Sequence, residues 1–125
     1  MKSEELKMEI IKKYLDEWID GKYNFRKNGI VDVTGAVKIR NYPYSKLIVK
    51  FGKVSLKFDC ADNNLETLEG CPKKIGTSFY CQNNRLTSLE HITKNIPYYL
   101  YCHNNPGNFT TEEIDKYVKY YINKL

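Results

Sequence analysis

CADNNLETLEGCPKKIGTSFY, residues 60–80, is followed without a break by CQNNRLTSLEHITKNIPYYLY, residues 81–101, and then by the shorter CHNNPGNFT, residues 102–110. Each complete block is 21 residues long, with Cys60, Cys81 and Cys102 three positions ahead of Asn63, Asn84 and Asn105. One period earlier, IRNYPYSKLIVKFGKVSLKFD (39–59) keeps the register: Ile39 takes the cysteine place, Leu47 matches Leu68 and Leu89, and Phe58 matches Phe79 and Leu100. Val33, Gly35 and Val37 supply the tail of a further, degenerate unit. Self-similarity at such a period marks units that cannot bury an apolar face alone and do so by stacking, here as about four rungs.

The spacing within a block fixes which side chains point inward. Phe58, Phe79 and Leu100 stand two residues before the cysteines, and Leu65 and Leu86 two residues after the asparagines. Period-2 alternation along a strand sends all of these into a core. Cysteine suits an inward place as a compact hydrophobe. The asparagine amide can satisfy backbone groups where the chain leaves the strand and turns, so Asn63, Asn84 and Asn105 are expected to form an internal ladder. Leucine spacing and period together have the pattern of a leucine-rich repeat, whose units run about 20 to 29 residues.

NNLETLEGCPKKIGTSFYCQNNRLTSLEH and KFGKVSLKFDC resemble the short leucine-rich-repeat-like proteins of bacteriophages, whose units read approximately NNxLTSLEGCPxxVGxxFxC. The resemblance covers about residues 30–109. It implies a solenoid with one parallel strand per rung and a role as a binding scaffold, with no catalytic residues. The chain departs from the pattern where Tyr42 takes the asparagine place, where Gly107 takes that of the following leucine, and where HITKNIP replaces GCPKKIG.

A solenoid needs its ends covered, and both flanks of the repeat read as helices. Ser3 is placed to cap a helix with Leu6, Ile10, Ile11, Tyr14, Leu15, Trp18 and Ile19 along one stripe, ended by Gly21 and Asn24. Thr110 and Glu113 form a capping box for a second helix over 110–125, with Ile114, Tyr117, Val118, Tyr121, Ile122 and Leu125 on one face. The expected single domain is thus an N-terminal capping helix and lead-in (1–29), the rungs (30–109) and a C-terminal capping helix (110–125). The tyrosines of the last helix, Tyr117, Tyr120 and Tyr121, are more aromatic surface than a cap requires and suggest a partner or a second copy, leaving monomer and homodimer both open.

The N-terminal MKSEELKMEI carries acids and no apolar leader, and no stretch is long and apolar enough to span a bilayer. The expectation is a soluble, cytoplasmic protein that keeps its four cysteines reduced. The net charge of +5 is regional: residues 31–58 hold Lys38, Arg40, Lys46, Lys50, Lys53 and Lys57 against Asp32 alone. Such a segment suits phosphates or an acidic protein, or simply forms a solvated lysine-rich face.

The register places Ala36, Lys38 and Arg40, then Lys57, Asp59 and Ala61, then Ser78, Tyr80 and Gln82, then Tyr99, Tyr101 and His103 on the outer side of successive strands. The expected partner-binding residues are Lys38, Arg40, Lys57, Asp59, Tyr80, Gln82, Tyr99, Tyr101 and His103. Tyrosine and arginine concentrate energy at interfaces, although exposed tyrosines also pack across strands for stability alone. Catalysis is not expected, because the register turns Cys81 inward and His103 outward, away from a thiol and base pair. Zinc is disfavoured too: Cys60, Cys81 and Cys102 are 21 residues apart with no fourth ligand in register, and Cys71 sits on the loop side. No cofactor is expected.

The leading functional expectation is a non-catalytic binding protein that occupies the surface of a host protein or ribonucleoprotein. The phage resemblance points to an inhibitor of a bacterial defence system such as a CRISPR effector. Two alternatives stand beside it: nucleic-acid binding through Lys38, Arg40, Lys50, Lys53 and Lys57, and a self-associating structural phage protein.

Overall fold

The computed structural model describes residues 2–123 and shows a parallel-strand solenoid of about four turns with a helix at its N-terminus. Helix α1 (Lys2–Trp18) leads into β1 (Ile19–Phe25) and β2 (Val31–Lys38), followed by β3 (Phe51–Val54), β4 (Phe58–Asp59), β5 (Lys74–Ile75), β6 (Phe79–Tyr80) and β7 (Asn95–Tyr101). The short helix α2 (Thr111–Asp115) and strand β8 (Tyr120–Asn123) close the chain. All eight strands belong to one sheet.

Each rung contributes two short strands where one was expected. In the longer β2 and β7 the two are fused and run across a corner of the solenoid; between them β3 and β5 form one flank and β4 and β6 the other. The 21-residue period survives in both. Val37, Phe58, Phe79 and Leu100 follow one another in register on the second flank, each fully buried. On the first, Val33 pairs with Val54 and Val54 with Ile75, and Ile96 continues the column. Leu47, Leu68 and Leu89, with Leu65 and Leu86, fill the core from the turn side.

The turn after the second strand depends on two consecutive residues with different tasks. Asp62, Asn83 and Asn104 adopt left-handed backbone, with φ of 60°, 59° and 54°, a region that Asn and Asp enter at less cost than other side chains. The next residue is the ladder asparagine. Asn84 Nδ2 donates to the carbonyls of Cys60 (2.9 Å), Cys81 (3.2 Å) and Gln82 (3.3 Å), while its Oδ1 accepts from the Leu65 amide (3.0 Å). Asn63 and Asn105 bond their own turns in the same way. Tyr42, in the asparagine place of the first rung, is buried and serves the same purpose by other means: its hydroxyl donates to the Lys46 carbonyl and accepts from the Ile48 amide. Gly107 leaves room for the Phe109 ring, which lies where a Cβ at 107 would stand.

At the N-terminal end, β1 pairs antiparallel with β2 along its whole length. Gly21 and Gly35 face each other where this hairpin rounds the corner, both near φ +139°, and a Cβ on Gly35 would come within 2.1 Å of the Asp20 carbonyl oxygen. The helix ends earlier than expected, at Trp18, and Gly21 and Asn24 lie in a strand. Trp18 Nε1 donates to the Arg40 carbonyl, and its ring stacks on Tyr14 and meets Tyr42 edge-on. Ser3 lies inside the helix, not at its cap. Only Ile11, Leu15 and Trp18 of the expected stripe are buried; Leu6 and Ile10 stay exposed because the first turns stand off from the rung.

The C-terminal end departs furthest from expectation. Thr110 caps α2 through the Glu113 amide, but the Glu113 carboxylate bonds Lys116, and the helix stops at Asp115. Ile114 and Val118 cover the last rung, and the Lys119 amide then donates to the Lys94 carbonyl (2.8 Å), starting β8 parallel to β7. The aromatic, β-branched run Tyr120–Ile122 gains more from the open strand edge than from another helical turn. Leu125 lies outside the described residues.

Asn84→Ala removes the donor of three bonds and the acceptor of a fourth in a buried site, so we expect it to lower unfolding free energy by roughly 2–4 kcal/mol in urea titration. Asn64→Ala, at an exposed position one residue past the ladder, should stay within about 0.5 kcal/mol of the parent.

Candidate macromolecule-binding face

The register that buries Phe58, Phe79 and Leu100 brings Lys38, Asp59, Tyr80 and Tyr101 into a single outward column across β2, β4, β6 and β7. Lys38 is exposed; the other three are half-buried. The Tyr80 and Tyr101 rings stack with centroids 4.8 Å apart and planes 10° from parallel. Lys57 Nζ stands 5.8 Å from the Tyr80 centroid, and Tyr99 and His103 meet Tyr101 edge-on at 6.3 and 6.4 Å. The result is a continuous aromatic track with a cation at one end.

The neighbouring column holds Arg40, Ala61, Gln82 and His103. Arg40 is exposed but already engaged, since its guanidinium donates to the Glu17 carbonyl (2.7 Å) and ties α1 to the first rung. Ala61 is buried, its methyl too short to reach past the longer members of its column. Ser78, also expected outward, is buried because its hydroxyl accepts from the Tyr99 amide of the next rung. Gln82 Oε1 and His103 Nδ1 are buried without a hydrogen-bond partner among the described residues. Unsatisfied buried polar atoms are uncommon in folded proteins, and two in adjacent rungs of one column call for an explanation.

The basic segment 38–57 does not form one patch. Lys38, Arg40 and Lys57 lie on the aromatic flank, whereas Lys53 stands on β3 opposite Lys74, and Lys50 lines a cleft with Arg26, Lys73 and His91 on the other side of the corner. Its nearness in sequence is divided by the bend. Sequence reasoning missed Ile122, which pairs in register with Tyr99 and extends the exposed apolar surface onto β8; its only signal was the β propensity of YYI.

The cysteines belong to the core. Cys60, Cys81 and Cys102 form the inward column beside the track, and Cys71 is buried on the turn side of the same core. Burial pushes the Cys71 and Cys81 thiols well above the ordinary range and that of Cys102 up to about 11. Among the described residues no group of His, Cys, Asp and Glu is arranged to hold a metal ion, and no helix is long and apolar enough to cross a membrane.

No protein-family model, curated protein or solved structure matches the chain.

The thiols give a pH prediction with a definite sign. Below about pH 8.5 folded and unfolded chains both hold these protons, so stability does not depend on them. Above it the unfolded chain ionises while the buried thiols stay neutral, and stability falls by about 1.4 kcal/mol per pH unit for each such group. Urea midpoints should therefore drop between about pH 8 and about pH 10, and less steeply in Cys81→Ala. A flat profile would contradict the buried, neutral thiols.

Proposed function

We propose that this chain is a non-catalytic binding protein that engages one macromolecular partner through the aromatic flank of its solenoid. The observation that carries this reading is the stacked Tyr80–Tyr101 pair, held outward on rigid strands between Lys57 and Tyr99. Tyrosines on a fixed scaffold offer broad contact area with little entropy to lose, and they are among the residues in which binding energy concentrates. Gln82 Oε1 and His103 Nδ1 add polar groups that a partner can satisfy once it displaces the neighbouring side chains.

A non-catalytic role is supported by the chemistry around the track. The Cys81 and Cys102 thiols face the core in protonated form and His103 faces away from them, so nucleophile and base do not meet. We further assign the solenoid to the leucine-rich-repeat-like class, on the strength of its inward leucine, phenylalanine and cysteine columns and its asparagine ladder. The two-strand rung is a departure from the one-strand pattern. That the partner is a bacterial host protein, and the chain a phage-encoded inhibitor of a defence complex such as a CRISPR effector, rests on the repeat resemblance alone.

The test compares the parent chain with Tyr80→Ala/Tyr101→Ala as bait in bacterial lysate. A specifically captured partner should lose at least about 100-fold in affinity for the double variant, while unfolding free energy changes by no more than about 1.5 kcal/mol, the worth of the lost stacking. Equal capture by both chains rejects this face.

A further inference from the structure

The flank on the other side of the corner carries a different chemistry. The Lys73 amide donates to the Gly52 carbonyl (2.9 Å) and the Lys119 amide to the Lys94 carbonyl (2.8 Å), and Lys73 and Lys94 are one 21-residue period apart. Lys73, Lys94 and Lys119 thus succeed one another along the stack. Beside them Lys53 pairs in register with Lys74, and Asn95 with Tyr120. All of these side chains are exposed, Tyr120 to 56%.

The carboxylates that border this array, Asp32 beside Lys53 and Lys74 and Glu69 beside Lys73, are each engaged by another cation, Glu69 by Lys46 at 2.8 Å. Asp32, at its base, is held by both nitrogens of the Arg26 fork at 2.8 Å and by the Lys53 amide, and Glu113 is taken by Lys116. Among the described residues none of Lys53, Lys73, Lys74, Lys94 and Lys119 forms an ion pair. Adjacent strands are about 4.8 Å apart, so like charges in register repel at a cost that an anionic ligand would relieve.

We infer that this lysine face binds the phosphodiester backbone of a nucleic acid. A single-sign array repeating at strand spacing suits a polymer of regularly spaced charge, and Asn95 and Tyr120 at its end offer a polar contact and a stacking surface for a base. An acidic protein is the poorer fit, because lysine is depleted from protein interfaces, whose binding energy comes from buried aromatic and arginine anchors. This site is independent of the aromatic flank and stands whether or not that flank binds a protein.

Fluorescence anisotropy with labelled single-stranded and duplex oligonucleotides tests it on the full chain. If about four phosphates are neutralised, affinity for a single strand falls roughly 50-fold between about 50 and about 200 mM salt, and more steeply for a duplex. Lys73→Gln/Lys74→Gln/Lys94→Gln should weaken binding at low salt at least about 10-fold and reduce the salt slope by about 2, whereas Lys38→Gln/Lys57→Gln and Tyr80→Ala/Tyr101→Ala leave both unchanged. These lysines are exposed, and circular dichroism should confirm that every variant is folded. The inference is overturned by absence of binding at low salt, by equal binding of the triple variant, by equal loss in Lys38→Gln/Lys57→Gln, or by polyglutamate competing as well as the oligonucleotide at matched charge.

Discussion

The constraint on which the rest of this structure depends is the hydrogen bonding of the ladder asparagines Asn63, Asn84 and Asn105 in three successive rungs. A chain that turns inward-facing backbone toward a core every 21 residues must satisfy the carbonyls and amides it strands there. Asn84 does so for its own turn and for the rung before it, donating to Cys60 as well as Cys81, and its Oδ1 takes the Leu65 amide. Each ladder asparagine therefore fixes the separation and the rotation of two rungs at once. The left-handed residue before it aims the amide inward, and on the outside Asn104 bonds Asn83 and Asn83 bonds Asp62, so the same turn is tied on both surfaces.

Once the rungs are locked in register, chemistry is sorted by column and no longer by position in the chain. Inward columns are apolar except where a polar group finds a fixed partner, as Asn84, the Tyr42 hydroxyl and Thr93 do. Outward columns are free of that limit, and the corner between the two strands of a rung separates them into two surfaces with different character. Lys57 and Lys53 are four residues apart, yet one faces the tyrosine track and the other the lysine columns. Lys53 and Lys74, distant in sequence, are neighbours.

That sorting explains what was legible in the sequence and what was not. The inward columns could be read directly, because Phe58, Phe79 and Leu100 repeat a chemical requirement at a fixed period, and so could the outward placement of Tyr80 and Tyr101. A count of charge along the chain, in contrast, singled out residues 31–58 as the basic segment and passed over Lys73, Lys74 and Lys94. Residues 59–109 hold five acids that offset these lysines in such a count, Asp59 on β4 of the other flank and Asp62, Glu66, Glu69 and Glu90 in the turn segments. The strands of the first flank were hidden as well: KI at 74–75 is too short to show alternation, and it is a strand only because Val54 lies beneath it. At the C-terminus, the 3.6-residue periodicity of Ile114, Val118 and Tyr121 is compatible with a helix, and the competing attraction of an unpaired strand edge exists only in three dimensions.

The two ends show how a solenoid of this size is kept from growing. At the first rung, the whole of β1 pairs antiparallel with β2, its glycine rounds the same corner, and α1 lays Ile11, Leu15 and Trp18 over the core. A reversed strand presents no parallel template for a further rung, and Tyr42 replaces the ladder asparagine with a ring that accepts α1 through Trp18. At the last rung the arrangement is weaker. Ile114 and Val118 cover the core, but β8 is parallel to β7 and lies at the edge of the sheet, with Tyr120 and Ile122 exposed. Both outward surfaces, the tyrosine track and the lysine columns, run toward this end. Among the described residues the first rung is thus covered by more structure than the last, and the exposed tyrosines and lysines lie toward the less covered one.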